Sequence, residues 1–131
     1  MTIQFGTDGV RGLSGKWPID EEGAYRIGRA VAAWSERGLI LIGWDTRESS
    51  APLTSALSDG LIAGGAAVGK LGIVPTAAVS CAVASSDARG GIMVTASHNP
   101  WEDNGFKVVG PSGHKLSDPR PLTQWFASPP T

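Results

Sequence analysis

The 131 residues are enough for one domain with a buried core, and 11 basic against 12 acidic side chains leave a formal net charge of -1. That balance offers no electrostatic case for nucleic acid or an anionic membrane surface as partner. No apolar run approaches a membrane span, and Met1 to Phe5 lack a basic-then-apolar leader pattern. The single cysteine, Cys81, excludes an internal disulfide and suits a reducing cytoplasm. Set in the small apolar run from Ala77 to Val83, it reads as a buried structural thiol. Glycine is the outlier: 18 residues, about twice the ordinary share, with no collagen period, which points to tight turns and close backbone approaches.

Ala24, Ile27, Val31 and Trp34 form a helical stripe that predicts a helix over about 21–37. Asp20 is placed to cap it, Glu21 and Glu22 suit its first turn, and Gly38 suits its end. Leu39 to Gly43 is a continuous apolar run, as in a strand covered on both faces. Leu53, Ala56, Leu57 and Leu61 predict a second helix that ends near Gly64–Gly65. A weaker strand follows over Ala67 to Leu71, then an alanine-rich helix from Pro75–Thr76 to about Ser86. Gly91 to Thr95 reads as a buried strand, and Gly105 to Val109 as a short one after a turn. From Pro119 to Thr131 the chain holds four prolines and no long periodic segment, and reads as a linker or loosely packed tail; the domain is placed at 1–118. Helices alternating with two-sided apolar strands argue for an α/β domain around a mostly parallel sheet.

In open α/β sheets, ligands bind beyond the carboxyl ends of the strands. Trp44-Asp45-Thr46-Arg47 follows one apolar strand, and Ala96-Ser97-His98-Asn99-Pro100-Trp101-Glu102-Asp103-Asn104-Gly105 follows another. The turn-forming opening, Phe5-Gly6-Thr7-Asp8-Gly9-Val10-Arg11-Gly12, supplies a third polar segment. Together they bring a hydroxyl, an imidazole and two guanidiniums to one rim. Arginine suits phosphate because its planar fork donates two parallel, charge-assisted bonds. The residues by themselves therefore suggest an anion site, with phosphate as the natural occupant.

Thr95-Ala96-Ser97-His98-Asn99-Pro100, followed by Asp103-Asn104-Gly105-Phe106-Lys107, resembles the active-site serine loop of the α-D-phosphohexomutase superfamily. The opening Phe5 to Gly12 is similar to the start of the bacterial phosphoglucosamine mutases, and Gly43 to Arg47 and Leu71 to Thr76 match further landmarks in the family's order. The resemblance implies a three-layer α/β/α sandwich with a four-stranded mixed sheet, its last strand running against the others. It implies that Ser97 carries a phosphoryl group exchanged with a hexose or hexosamine phosphate through a bisphosphate intermediate. It further implies His98 beside the serine, Lys107 as general acid/base or neutralising cation, and Arg11, Arg47 and Asn104 as holders of phosphate or substrate. Mg2+ would be bound through the phosphate on Ser97, with acidic ligands from another domain.

Asn104-Gly105-Phe106-Lys107-Val108 is nearer the phosphoglucomutase and phosphomannomutase pattern than the Ile-Lys-Phe ending of bacterial phosphoglucosamine mutases. Glucosamine phosphate is the favoured substrate, with glucose or mannose phosphate as the alternative. The family's Asp-Gly-Asp-Gly-Asp metal loop, Gly-Glu-x-Ser sugar loop and C-terminal phosphate loop do not occur in these residues. The chain alone is thus expected to be inactive, its partners being a phosphosugar and the remaining mutase domains. The non-catalytic alternative is a domain that binds phosphorylated ligands or complements a partner.

Other motifs read plainly. Gly64 to Lys70 looks like a Walker A loop but runs into a strand and has Leu71 where Ser or Thr is needed, so it reads as a helix-to-strand turn. No G-x-S-x-G elbow supports a Ser-His hydrolase. Trp34 reads as core, Trp44 and Trp101 as rim residues, and Arg26, Arg29 and Arg37 as a solvated helix face.

Overall fold

The computed structural model describes residues 6, 9–116 and 118–127. Its elements, in chain order, are β1 (Val10–Leu13), α1 (Glu21–Trp34), β2 (Leu39–Trp44), α2 (Ser50–Ala63), β3 (Ala67–Ile73), α3 (Thr76–Ala84), β4 (Gly90–Val94), β5 (Asp103–Val109) and α4 (Arg120–Ala127). The strands form one sheet in the order β1-β5-β4-β2-β3. β2 runs parallel to β3 and β4, whereas β5 is antiparallel to both β4 and β1. The reversed last strand is as the resemblance implied.

The sheet has five strands rather than the four implied. The added strand is β1, which overlaps the end of the segment that reads as turn-forming; it pairs with the otherwise open edge of β5, Val10 opposite Phe106 and Arg11 opposite Gly105. Four residues interrupted by Gly12 carry too little alternation to announce a strand, and the partner's edge supplies what the local pattern does not.

The larger core holds Ile27, Val31, Leu57, Leu61, Ile42, Ile92 and Phe106, on the face covered by α1, α2 and α4. α3 covers the other face, where Val79 and Val83 pack with Leu41, Met93 and Val109. Asp20 caps α1 as expected, its Oδ1 accepting from Gly23 N at 2.7 Å. α1 ends differently: Glu36 and Arg37 take the left-handed conformation at φ 57° and 62°, rather than Gly38. α1 and α2 meet backbone to backbone, since a Cβ on Gly60 would lie 2.0 Å from Tyr25 O and one on Gly28 2.3 Å from Leu57 O. A side chain at either position would force the helices apart.

Two further readings are corrected. The tail holds a helix over 120–127, with Leu122 and Phe126 fully buried and the Phe126 ring 5.8 Å from that of Trp17. Its two anchors are four residues apart, one helical face, and Pro121 falls in the first turn where its missing N–H costs nothing. Cys81 is exposed, not buried: Val79 and Val83 point to the sheet, so the residue midway between them is carried to the opposite side of α3. The turn reading of Gly64 to Lys70 holds, with Gly64 closing α2 and β3 starting at Ala67. Trp34 is half-buried against the larger core.

Candidate active site

β2 leads outward to β3 through α2, whereas its neighbour β4 leads the other way to β5. The carboxyl ends of β2 and β4 therefore flank the switch point of the sheet, where connections diverge and leave a crevice. Asp45 N donates to Val94 O at 3.2 Å and holds the two ends together. The Asp45–Arg47 turn and the loop over 95–102 both spring from this place.

Ser97 sits exposed on that loop at φ 53°, left-handed for a residue that is not glycine. Such a conformation costs on the order of 1–3 kcal/mol and persists only when surrounding contacts over-determine it. Those contacts are present. Ser97 N donates to Thr95 Oγ1 at 3.0 Å, and Thr95 Oγ1 donates to Asp45 Oδ2 at 2.6 Å. Asp45 Oδ2 accepts from Arg47 Nε at 2.9 Å, and Arg47 Nη2 donates back to Ser97 O at 2.7 Å. The ring of bonds grips Ser97 at both its N–H and its carbonyl.

Arg47, only 8 % exposed, also donates to Asn99 O (3.2 Å), Pro100 O (2.6 Å) and Asp103 O (2.9 Å). With Asp45 that makes five acceptors for the five N–H groups of a guanidinium. All five donors of Arg47 are thus engaged within the fold, around Ser97. Asn104 is engaged likewise. It is fully buried, its Nδ2 donates to Ser49 Oγ and Ser50 Oγ at 2.8 and 3.1 Å, and its Oδ1 accepts from Gly105 N at 2.9 Å. Asn104 ties β5 to the start of α2 rather than facing a ligand.

Arg11 is exposed, and its Nη2 lies 3.4 Å from Ser97 Oγ. It reaches the serine across Gly105, its partner in the β1–β5 ladder; a Cβ there would lie 2.9 Å from Arg11 Cγ and 2.5 Å from Val10 O. Lys107, half-buried, stands two positions further along β5, on the face shared with Gly105 and Arg11 and opposite to Phe106 and Val108. His98 is exposed next to the serine. Neither the His98 nor the Lys107 side chain has a hydrogen-bond or ion-pair partner among the described residues. Of the opening motif, Phe5, Thr7 and Asp8 lie outside the described residues.

Burial of Asp45 works to raise its pKa, but hydrogen bonds from Thr95, Arg47 and Ser50 outweigh it and hold the carboxyl below the ordinary 3.8. The site thus keeps a carboxylate to which the motif alone assigns no task, and the same holds for Thr95. The available signal is positional: each is the first residue past its strand, β2 ending at Trp44 and β4 at Val94, where a side chain can reach the neighbouring strand's loop.

Among the described residues no three or more His, Cys, Asp or Glu side chains gather to hold a metal ion. A cleft of about 730 Å3 lies elsewhere, between Arg29, Arg37, Gly65 and Trp125. It opens at the carboxyl ends of α1 and α2, the opposite rim from Ser97, and contains none of the residues expected to do chemistry. Its size does not mark it as the site, since helix carboxyl ends disfavour the anion that the serine loop's cations would attract.

Residues 2–123 match the family described as phosphoglucomutase/phosphomannomutase, alpha/beta/alpha domain I. The chain belongs to this family. It is 44 % identical over 118 residues to the phosphoglucosamine mutase of Koribacter versatilis (strain Ellin345), covering 87 % of this chain and 26 % of that protein. It is also 44 % identical over 122 residues to the phosphoglucosamine mutase of Thermus thermophilus, covering 90 % and 28 %. Among solved structures, a phosphoglucomutase/phosphomannomutase family protein from Burkholderia thailandensis superimposes with TM-score 0.79 at 30 % identity, over 95 % of this chain and 31 % of that one. A Thermus thermophilus protein provisionally described as a phosphomannomutase gives TM-score 0.84 at 32 % identity, over 99 % and 31 %. The chain therefore spans about a quarter of the length of the curated relatives it matches, and no helix among the described residues is long and apolar enough to cross a membrane.

Proposed function

We propose that this domain carries the phosphoserine of a hexose-phosphate mutase, with Ser97 as phosphoryl carrier and glucosamine phosphate as the favoured substrate over glucose or mannose phosphate. The observation that carries the reading is an exposed serine hydroxyl, held at a fixed loop apex and faced by an arginine at 3.4 Å. The names of the relatives favour the hexosamine substrate.

In the reaction, the bond between Ser97 Oγ and phosphorus breaks as a sugar hydroxyl oxygen bonds to the phosphorus, and the hydroxyl proton leaves to a base. The bisphosphorylated sugar then returns its other phosphate to Ser97 Oγ. Phosphoryl transfer asks a protein mainly for positioning and charge stabilisation. A phosphoserine carries about -1.5 to -2 charges at neutral pH; Arg11 meets it directly, and Lys107 adds a cation on the same face and a group able to take or give the proton. His98 is the second candidate for that proton. Mg2+ would add positive charge at the transferring group. The residues here fit it only in part: an oxygen of phosphorylated Ser97 would be this domain's contribution, and acidic ligands would come from another domain. A reducing, cytoplasmic setting agrees with the exposed thiol of Cys81.

The test is reconstitution. The chain is combined with the remaining domains of a phosphoglucosamine mutase, and interconversion of the 6- and 1-phosphates is followed for glucosamine, glucose and mannose. Turnover with phosphate mapped to Ser97, lost in Ser97→Ala, is the expected result. Unchanged turnover in Ser97→Ala overturns the mechanism, and binding of phosphosugars without turnover by correctly folded partners favours the non-catalytic reading.

A further inference from the structure

We propose that Arg47 is the positioning residue of the serine loop: through Asp45 and Thr95 it sets the backbone of Ser97 and does not itself meet the phosphate. The proposal rests on the phosphoserine reading for its catalytic consequence, but its geometry stands without it. Four of the five Arg47 donors go to main-chain carbonyls of Ser97, Asn99, Pro100 and Asp103. These acceptors converge on one guanidinium because the loop folds around it. The fifth donor, Nε, is spent on Asp45 Oδ2, which also receives Thr95 Oγ1 and so reaches Ser97 N.

Three physical features suit this group to hold a backbone. A guanidinium is planar and always charged, and its fork can bridge carbonyls that a lysine ammonium, with three donors at one point, cannot span. Asp45 offsets its charge at 2.9 Å, so the pair adds little net field at Ser97 and leaves the phosphate to Arg11. A left-handed serine relaxes toward ordinary φ unless both of its peptide groups are held, and here N–H and C=O are both held by the same ring of bonds.

The experiment uses the isotopically labelled 131-residue chain and two variants. Arg47→Lys keeps the positive charge but not the fork. Thr95→Val keeps shape and charge but breaks the link from Asp45 to Ser97 N. Three-bond HN–Hα couplings and carbon shifts of Ser97 report its left-handed φ, and hydrogen exchange reports the protection of its amide. Amides of β2 and β4 serve as the folding control. In the reconstituted enzyme the same variants are assayed for kcat and KM.

Arg47→Lys is expected to lose the left-handed signature at Ser97 with the β2 and β4 amides still protected, and Thr95→Val to lose protection of the Ser97 amide. In Arg47→Lys, kcat is expected to fall about 100-fold with KM little changed, the size of effect that misplacing a reacting group by about 1 Å produces. Rescue by lysine, with Ser97 unaltered in both variants, would overturn the proposal and make Arg47 a charge rather than a clamp. If Arg47→Lys fails to fold, Thr95→Val decides by the same Ser97 signals. Wild-type chain that never accepts phosphate at Ser97 would sink the phosphoserine reading, while the backbone signals still judge the clamp.

Discussion

Two arginines flank Ser97, and they differ in almost every physical respect. Arg47, at the end of β2, is 8 % exposed and spends four donors on carbonyls of the loop that folds around it and the fifth on Asp45. Arg11, on the edge strand β1, is exposed and, among the described residues, makes one long contact, to the serine hydroxyl. Both stand in motifs that suggest a phosphate ligand, yet among the described residues only one has donors to spare. Residue type and motif state what a side chain could bind, whereas spent hydrogen-bonding capacity states what it can still bind. Stability and chemistry are accordingly divided between two residues of the same kind.

Substitution to alanine separates them most strongly. Arg47→Ala takes a charged donor from four main-chain carbonyls and from Asp45, and is expected to cost about 2–4 kcal/mol in urea unfolding. Arg11→Ala is expected to change stability by no more than about 0.5 kcal/mol, as for an exposed side chain, while slowing phosphoryl transfer in the reconstituted enzyme. Equal stability losses would break the contrast. A smaller effect is expected at the crossing point of Arg11. Gly105→Ala places a Cβ 2.5 Å from Val10 O and 2.9 Å from Thr95 O, backbone atoms that yield little, at about 1–3 kcal/mol. Its distinguishing readout is displacement of Arg11: transfer should slow by more than the stability loss accounts for.

The smallest effect is a pH dependence. Because the folded state holds the Asp45 pKa below 3.8, its unfolded form, near 3.9, binds the proton first as pH falls. The stabilising contribution is therefore complete above about pH 5 and is lost as acid titrates the folded carboxylate below about pH 4. Asp45→Asn is expected to unfold more readily than wild type near pH 6, with the difference shrinking toward about pH 2. A constant difference would mean that Asp45 acts by shape alone.

Helix periods, the apolar runs of β2 and β4, the Asp20 cap and the polar loops beyond the strands were all legible, because each is written in residues close together in the chain. β1 was not, since four residues around Gly12 become a strand only against the edge of β5. α4 was masked by prolines, although Leu122 and Phe126 carried its anchoring face. Arg11 could be placed near Ser97 from the order of motifs, but the saturation of Arg47 and Asn104 could not. Most of their partners lie 50 or more positions away along the chain.

By itself the amino-acid sequence determined the layered α/β class, the rim on which the polar loops gather, and the serine loop's kinship with the hexose-phosphate mutases. Those follow from local periodicity and from short strings of consecutive residues. Only the tertiary structure decided which polar groups are spent inside the fold and which still face outward. Hydrogen-bonding capacity is a count over all partners in space, and those partners are assembled when β2, β4 and β5 come side by side.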